Sequence, residues 1–170
     1  MVMAGGSAML GYADPRIQEA IAAETHSSAI MTLPHVLELD VSRLLRETIP
    51  SAEMVLFGKH GSDACTLAVR LARLHTGRRK ILFSGYHGWH DWFADQMQPE
   101  LRGPGGELEV LRFPLNDVAA FEKLFAAHSQ EIAGVMVEPA AQAVSIDGPV
   151  QGVDAAFLRA VAQRCRESGA

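Results

Sequence analysis

At 170 residues, 48% hydrophobic and 21% charged, the chain fits one globular domain with a real core and excludes a disordered segment. A net charge of −5 with scattered lysines and arginines argues against nucleic acid, and no apolar stretch is long enough to cross a bilayer. The N-terminus lacks a basic segment followed by an apolar core, so no secretory signal is read; Cys65 and Cys165, the only cysteines, fit buried thiols in the cytoplasm.

In chain order, Asp14-Pro15 reads as an N-cap and first-turn proline, starting a helix to about Thr25 with Ile17, Ala20 and Ile21 on one face. Pro34 starts a second helix through Thr48, with Leu37, Val41, Leu44 and Leu45 at helical spacing. Met54–Phe57 reads as a strand and Ser62–His75 as a helix, with Ala64, Leu67, Ala68, Leu71 and Leu74 inward. Ile81–Phe83 is a strand, Asp91–Gln96 a short helix, and Gln98–Gly106, rich in proline and glycine, a loop. Leu108–Phe113 is a strand, and Asn116 or Asp117 caps a helix to His128 with Val118, Phe121 and Phe125 inward. Ile132–Glu138 is a strand, Gln142–Gly152 a loop, and Val153–Glu167 a helix burying Phe157, Leu158, Val161 and Cys165. Continuous apolar strands alternating with helices predict an α/β fold: a mostly parallel sheet with helices on both faces. The last helix runs into Ser168-Gly169-Ala170, a stop signal with no strand after it, and Met1–Met9 is apolar without a partner. The chain therefore reads as a single partial domain, residues 1–170.

Three polar motifs lie beyond the carboxyl ends of expected strands, the edge where open parallel sheets bind ligands. The first is Gly58-Lys59-His60-Gly61-Ser62-Asp63, entering a helix. Unpartnered amides and the helix dipole suit an anion there, Gly61 permits close approach, and Ser62 adds a hydroxyl. The second is Ser84-Gly85-Tyr86-His87-Gly88-Trp89-His90-Asp91, and the third closes on Val137-Glu138-Pro139. Each also has a purely structural explanation. The Gly-Ser turn fits a tight connection with a serine cap, Tyr86 a half-buried aromatic, and Glu138 a solvated strand end. His87, His90 and Asp91 have ligand-like spacing without a complete ligand set, so no metal is expected. Trp89 and Trp92 read as walls of a pocket or a subunit contact. A nucleotide-binding Rossmann domain is disfavoured, since no G-x-G-x-x-G follows a strand.

His60-Gly61-Ser62-Asp63-Ala64, Ala68-Val69-Arg70-Leu71-Ala72-Arg73 and Thr76-Gly77-Arg78 resemble the phosphate-turn segment of class III aminotransferases. Gly85–Asp91 resembles that family's next block, Val137-Glu138-Pro139 its third, and Leu10–Pro15 its early loop and helix start. The branch most resembled is that of the glutamate-1-semialdehyde aminomutases. The resemblance runs nearly end to end. It implies part of the large domain of the aspartate aminotransferase-like, PLP-dependent fold, with the small domain and C-terminal half absent. It further implies pyridoxal 5′-phosphate as cofactor, small-molecule amino donor and acceptor, amino-group transfer through a cofactor Schiff base, and a homodimer. Carried over, Gly61 and Ser62 hold the cofactor phosphate with Asp63 beside it, its side chain turned away. Tyr86 stacks on the ring, His87 lies next to it, and Glu138 sits near the ring edge within a hydrogen-bond network.

The family's aspartate for the pyridine nitrogen and its Schiff-base lysine are expected downstream of Ala170. Lys59, Lys80 and Lys123 match neither role, so the chain carries no catalytic residue and is expected to be inactive alone. The rival reading is a truncated or degenerate relative that keeps the fold and acts as a binding or assembly module.

Overall fold

The computed structural model describes residues 7–27, 32–97, 109–139 and 152–170. The loop expected at Gln98–Gly106 and all but the last residue of that expected at Gln142–Gly152 fall outside them. The chain divides into two compact units, Met1–Phe57 and Gly58–Ala170.

The first unit holds helices α1 (Pro15–Ser27) and α2 (Val36–Thr48). The Asp14 carboxylate takes the Arg16 amide at 2.9 Å, as an acceptor at a helix start should. Helix α2 begins after His35 rather than at Pro34, because the His35 ring nitrogen Nδ1 accepts the Leu37 amide at 3.2 Å and supplies the cap. No residue of α2 is buried, and its stripe of Leu37, Val41 and Leu44 remains exposed. The strand expected at Met54–Phe57 does not form. A strand exists through its ladder, and none of the three described strands pairs with this run; Met54 is 93% exposed.

The second unit is a three-layer sandwich. Its sheet consists of β1 (Lys80–Ser84), β2 (Val110–Arg112) and β3 (Ile132–Val137), all parallel, in the order β2-β1-β3. Alternation along the central strand separates two cores. Ile81 and Phe83 join Val69 of α3 (Gly61–Thr76) and Phe93 of α4 (Asp91–Met97), with Val110 and Ala133. Leu82 faces Phe121 and Phe125 of α5 (Val118–Ala127) and Phe157 and Val161 of α6 (Ala155–Ser168), with Phe113 and Ile132. This explains why β1 reads as an unbroken apolar run: it is buried on both faces.

Helix α3 presents a different face from the one its leucines suggest. Ser62 and Val69 are buried, Ala72 packs beside them, and Leu71 and Leu74 are 60% and 81% exposed. Gly134 is the reason Ala72 faces inward. A Cβ on Gly134 would lie 3.3 Å from the Ala72 Cβ, so β3 and α3 approach closely through two small residues. The helix ends at Gly77, which adopts the left-handed conformation and turns the chain into β1. Arg78 then fastens this corner, donating to the carbonyls of Ile132 at 3.2 Å and Ser168 at 2.9 Å. On the other face Asn116 bonds the Gly152 carbonyl and the Asp154 amide, fixing the entry to α6.

Candidate active site

Because α3 runs directly into β1 through a tight turn, its N-terminus lies at the carboxyl edge of the sheet. After β1 the chain continues into α4 on one face, and after β3 into α6 on the other. The crevice between neighbouring strands whose connections diverge is where such sheets bind ligands. The three sequence motifs meet there.

The turn entering α3 is held by Asp63. Its Oδ2 accepts the amides of His60 at 2.9 Å and Lys59 at 3.0 Å, so the carboxylate faces back onto the turn. Those bonds, the His60 amide foremost, hold the carboxyl below the ordinary range, with His60 and His90 adding to them against desolvation. Further along, Asp63 and Ala64 donate to the His60 carbonyl. Among the described residues, the amides of Gly61 and Ser62 have no acceptor. Among the described residues, no atom outside this turn and its helix lies within 4 Å of where a Gly61 Cβ would stand, so these residues leave that side of the turn open. Ser62 is only 7% exposed, and its Oγ accepts the Trp89 amide at 3.3 Å, leaving its hydroxyl proton to donate.

The loop after β1 is shaped by two glycines at positive φ, Gly85 (96°) and Gly88 (105°). A Cβ on Gly88 would stand 2.5 Å from the Ser62 Oγ, and one on Gly85 2.7 Å from the Glu138 Oε2. Glycine at these positions lets the loop rest on α3 and on the end of β3 together. Glu138 accepts the Tyr86 amide through Oε2 at 3.0 Å, and its own amide donates to the Ser84 carbonyl. Tyr86 is exposed at the site, with its ring edge-on to Phe93. His87 turns inward instead. It is 7% exposed, lies 3.1 Å through Nε2 from the Ser84 carbonyl, and packs edge-on against Phe83 and Phe93. Burial pushes this imidazole below its ordinary value, opposed by the Ser84 carbonyl, the Glu138 carboxylate and the Met136 carbonyl.

All six sequence candidates, Gly61, Ser62, Asp63, Tyr86, His87 and Glu138, thus lie on elements that converge at one edge. Sequence reasoning did not single out Gly85, Gly88 or Thr66. The double glycine flanking Tyr86-His87 was the available signal for the first two. Among the described residues no group of His, Cys, Asp and Glu could hold a metal ion, and no helix is long and apolar enough to cross a membrane.

The family model of the class-III aminotransferases matches residues 1–170. The chain belongs to the class-III aminotransferases. Its relatives include the 3-aminobutyryl-CoA aminotransferase of Cloacimonas acidaminovorans (strain Evry), 33% identical over 138 residues, 79% of this chain and 32% of that protein. An omega-transaminase from Sphaerobacter thermophilus has the same fold at a TM-score of 0.86 and 26% identity, over 99% of this chain and 42% of that one. FumI from Sphingopyxis sp. MTA144, solved in its PLP internal aldimine form, matches at 0.83 and 28%, over 99% and 40%. A glutamate-1-semialdehyde aminomutase from Pseudomonas aeruginosa PAO1 also shares the fold, at 21% identity. The chain therefore spans a third to two-fifths of these relatives' lengths, within a PLP-dependent, aspartate aminotransferase-like fold.

The class III family implies pyridoxal phosphate, and the donor set fits its phosphate. Two free amides at a helix N-terminus, a serine hydroxyl with a proton to give, and open space over Gly61 match a phosphate monoester.

Proposed function

We propose that the protein carrying this chain transfers amino groups between small molecules using pyridoxal 5′-phosphate, and that this chain supplies the half-site for the phosphate and ring. The observation that carries this reading is the pair of free amides at Gly61 and Ser62 under open space, beside the Tyr86–Glu138 corner. The Gly61 and Ser62 amides and the Ser62 hydroxyl bind the phosphate. The dipole of α3 favours its charge, and no ionised side chain has to be desolvated to do so. Tyr86 offers its ring to the cofactor ring, its backbone held by Glu138. His87 supports this corner from beneath as a neutral core residue. When bound, the cofactor supplies the electron sink for amino-group chemistry, and the protein's part is orientation and exclusion of water.

None of the three lysines serves as the cofactor's covalent anchor in this reading. Lys80 is tied to Glu131 at 2.6 Å and to His128, Lys123 lies on α5 outside the three motifs, and Lys59, within the first motif, is engaged there through its backbone amide. A transaminase is favoured over a mutase, because the relative at 33% identity is an aminotransferase. A homodimer in the cytoplasm completes the proposal, on the resemblance to the family.

Gly61→Asp is the decisive variant. Position 61 has room for a side chain, and an acid in the first helical turn suits the dipole, so thermal stability should hold or rise. The same carboxylate lies where the phosphate binds, and cofactor affinity should fall at least about tenfold, the equivalent of 1.4 kcal/mol. Unchanged affinity for pyridoxal phosphate would refute the assignment.

A further inference from the structure

The loop after β1 is sewn to α3 at a second point, one helical turn beyond Ser62. Thr66 Oγ1 lies 2.8 Å from Trp92 Nε1 and 2.8 Å from His90 Nδ1. The other ring nitrogen of His90, Nε2, lies 3.6 Å from Asp63 Oδ1. That is too long for a direct hydrogen bond, so the link is electrostatic. The His90 carbonyl also accepts the amides of Phe93 and Ala94 at the start of α4.

The proton positions in this string follow from its chemistry. An indole N–H only donates, so Thr66 Oγ1 accepts from Trp92. The Thr66 hydroxyl then has one proton to give, and His90 Nδ1 is the acceptor within reach. If Nδ1 carried the hydrogen instead, the hydroxyl proton would lose this acceptor. A neutral ring would then turn its Nε2 lone pair toward the Asp63 carboxylate. The arrangement that leaves no such conflict has Nδ1 as acceptor and Nε2–H facing Asp63.

We infer that His90 and Thr66 are positioning residues of the anion-binding turn: the string from Trp92 through Thr66 and His90 to Asp63 fixes the carboxylate that holds the Lys59 and His60 amides, so that the next two amides remain free. This rests on the reading of Gly61 and Ser62 as the cofactor's phosphate site. It also resolves an electrostatic difficulty. A carboxylate in the same turn as a bound phosphate opposes it unless turned away, and Nε2–H of His90 and the two turn amides draw Asp63 away from the open space. Among the described residues, the side chains facing Asp63 are His60 from its own turn and His90 from the loop after β1.

The test compares the intact holoprotein with His90→Phe, His90→Gln, Thr66→Val and Thr66→Ser, measuring affinity for pyridoxal phosphate, pyridoxal and inorganic phosphate. A positioning role predicts that His90→Phe and Thr66→Val weaken both phosphate-bearing ligands about tenfold and leave pyridoxal unchanged. Gln keeps an N–H near the Nε2 position, and Ser keeps the hydroxyl, so these two should recover most of the loss. Equal losses for pyridoxal and pyridoxal phosphate, or none, would overturn the proposal. ¹⁵N NMR of the wild-type imidazole is an independent check and should show Nδ1 unprotonated; a protonated Nδ1 would overturn it even if the variants lost stability. Should the wild type fail to bind pyridoxal phosphate and inorganic phosphate alike, the cofactor reading itself fails, and the NMR result still decides the tautomer.

Discussion

Gly85 and Gly88 shape the site by what they lack. Each holds a positive φ that other residues adopt only with strain, and each leaves room for a side chain from another motif. Gly88→Ala should therefore cost about 1–3 kcal/mol in backbone strain. It should also push Ser62 from its bond to the Trp89 amide, with chemical denaturation and phosphate affinity falling together. His87 adds a pH signature. Its folded-state pKa is depressed below 6.5, so its contribution is complete above that value and is lost as pH falls toward the lower folded value, where the unfolded chain takes up the proton first. Denaturant midpoints should drop between pH 7.5 and 5.5 in the wild type and drop less in His87→Gln. An equal drop would show that other groups carry the dependence.

Elements were legible where burial is two-sided or a cap is local. Helix α5 is a case of the latter: the Asp117 carboxylate accepts the Ala120 amide at 2.8 Å, as its place before the apolar run implies. Asp117→Ala should cost about 1 kcal/mol, read from the urea midpoint. The inward face of α3 was not legible, for a physical reason. The helix carries an apolar stripe through Leu67, Leu71 and Leu74 and a mixed stripe through Ser62, Thr66 and Val69, and hydrophobicity alone selects the first. The polar atoms of the second are satisfied by Trp89 and Trp92, more than twenty residues away, which no local pattern reveals. Met54–Phe57 failed for a related reason: an apolar run is a strand only if a partner strand pairs with it, and none of those described does. The motifs around Tyr86 and Glu138 were legible as the ends of strands, and that around Gly61 only as a helix start; the coupling of the three through Gly88, Thr66 and His90 was not legible.

In the second unit, the two cores sit on opposite faces of one three-stranded sheet. Phe121 is fully buried, between Phe113 and Phe125. Phe121→Ala should cost about 3–5 kcal/mol, much of a typical domain's stability, and show as a loss of cooperative melting. The same sheet aligns three motifs separated by up to 80 residues at one edge, so damage to either core should also loosen the site.

The proposed half-site holds the phosphate and ring of pyridoxal phosphate without anchoring the cofactor covalently. Titration with pyridoxal phosphate, competition by inorganic phosphate, and borohydride trapping with peptide mapping test it directly. The predicted result is binding that phosphate displaces and Gly61→Asp weakens, with no adduct on Lys59, Lys80 or Lys123. A stoichiometric adduct on any of those lysines, or binding indifferent to phosphate, would contradict it.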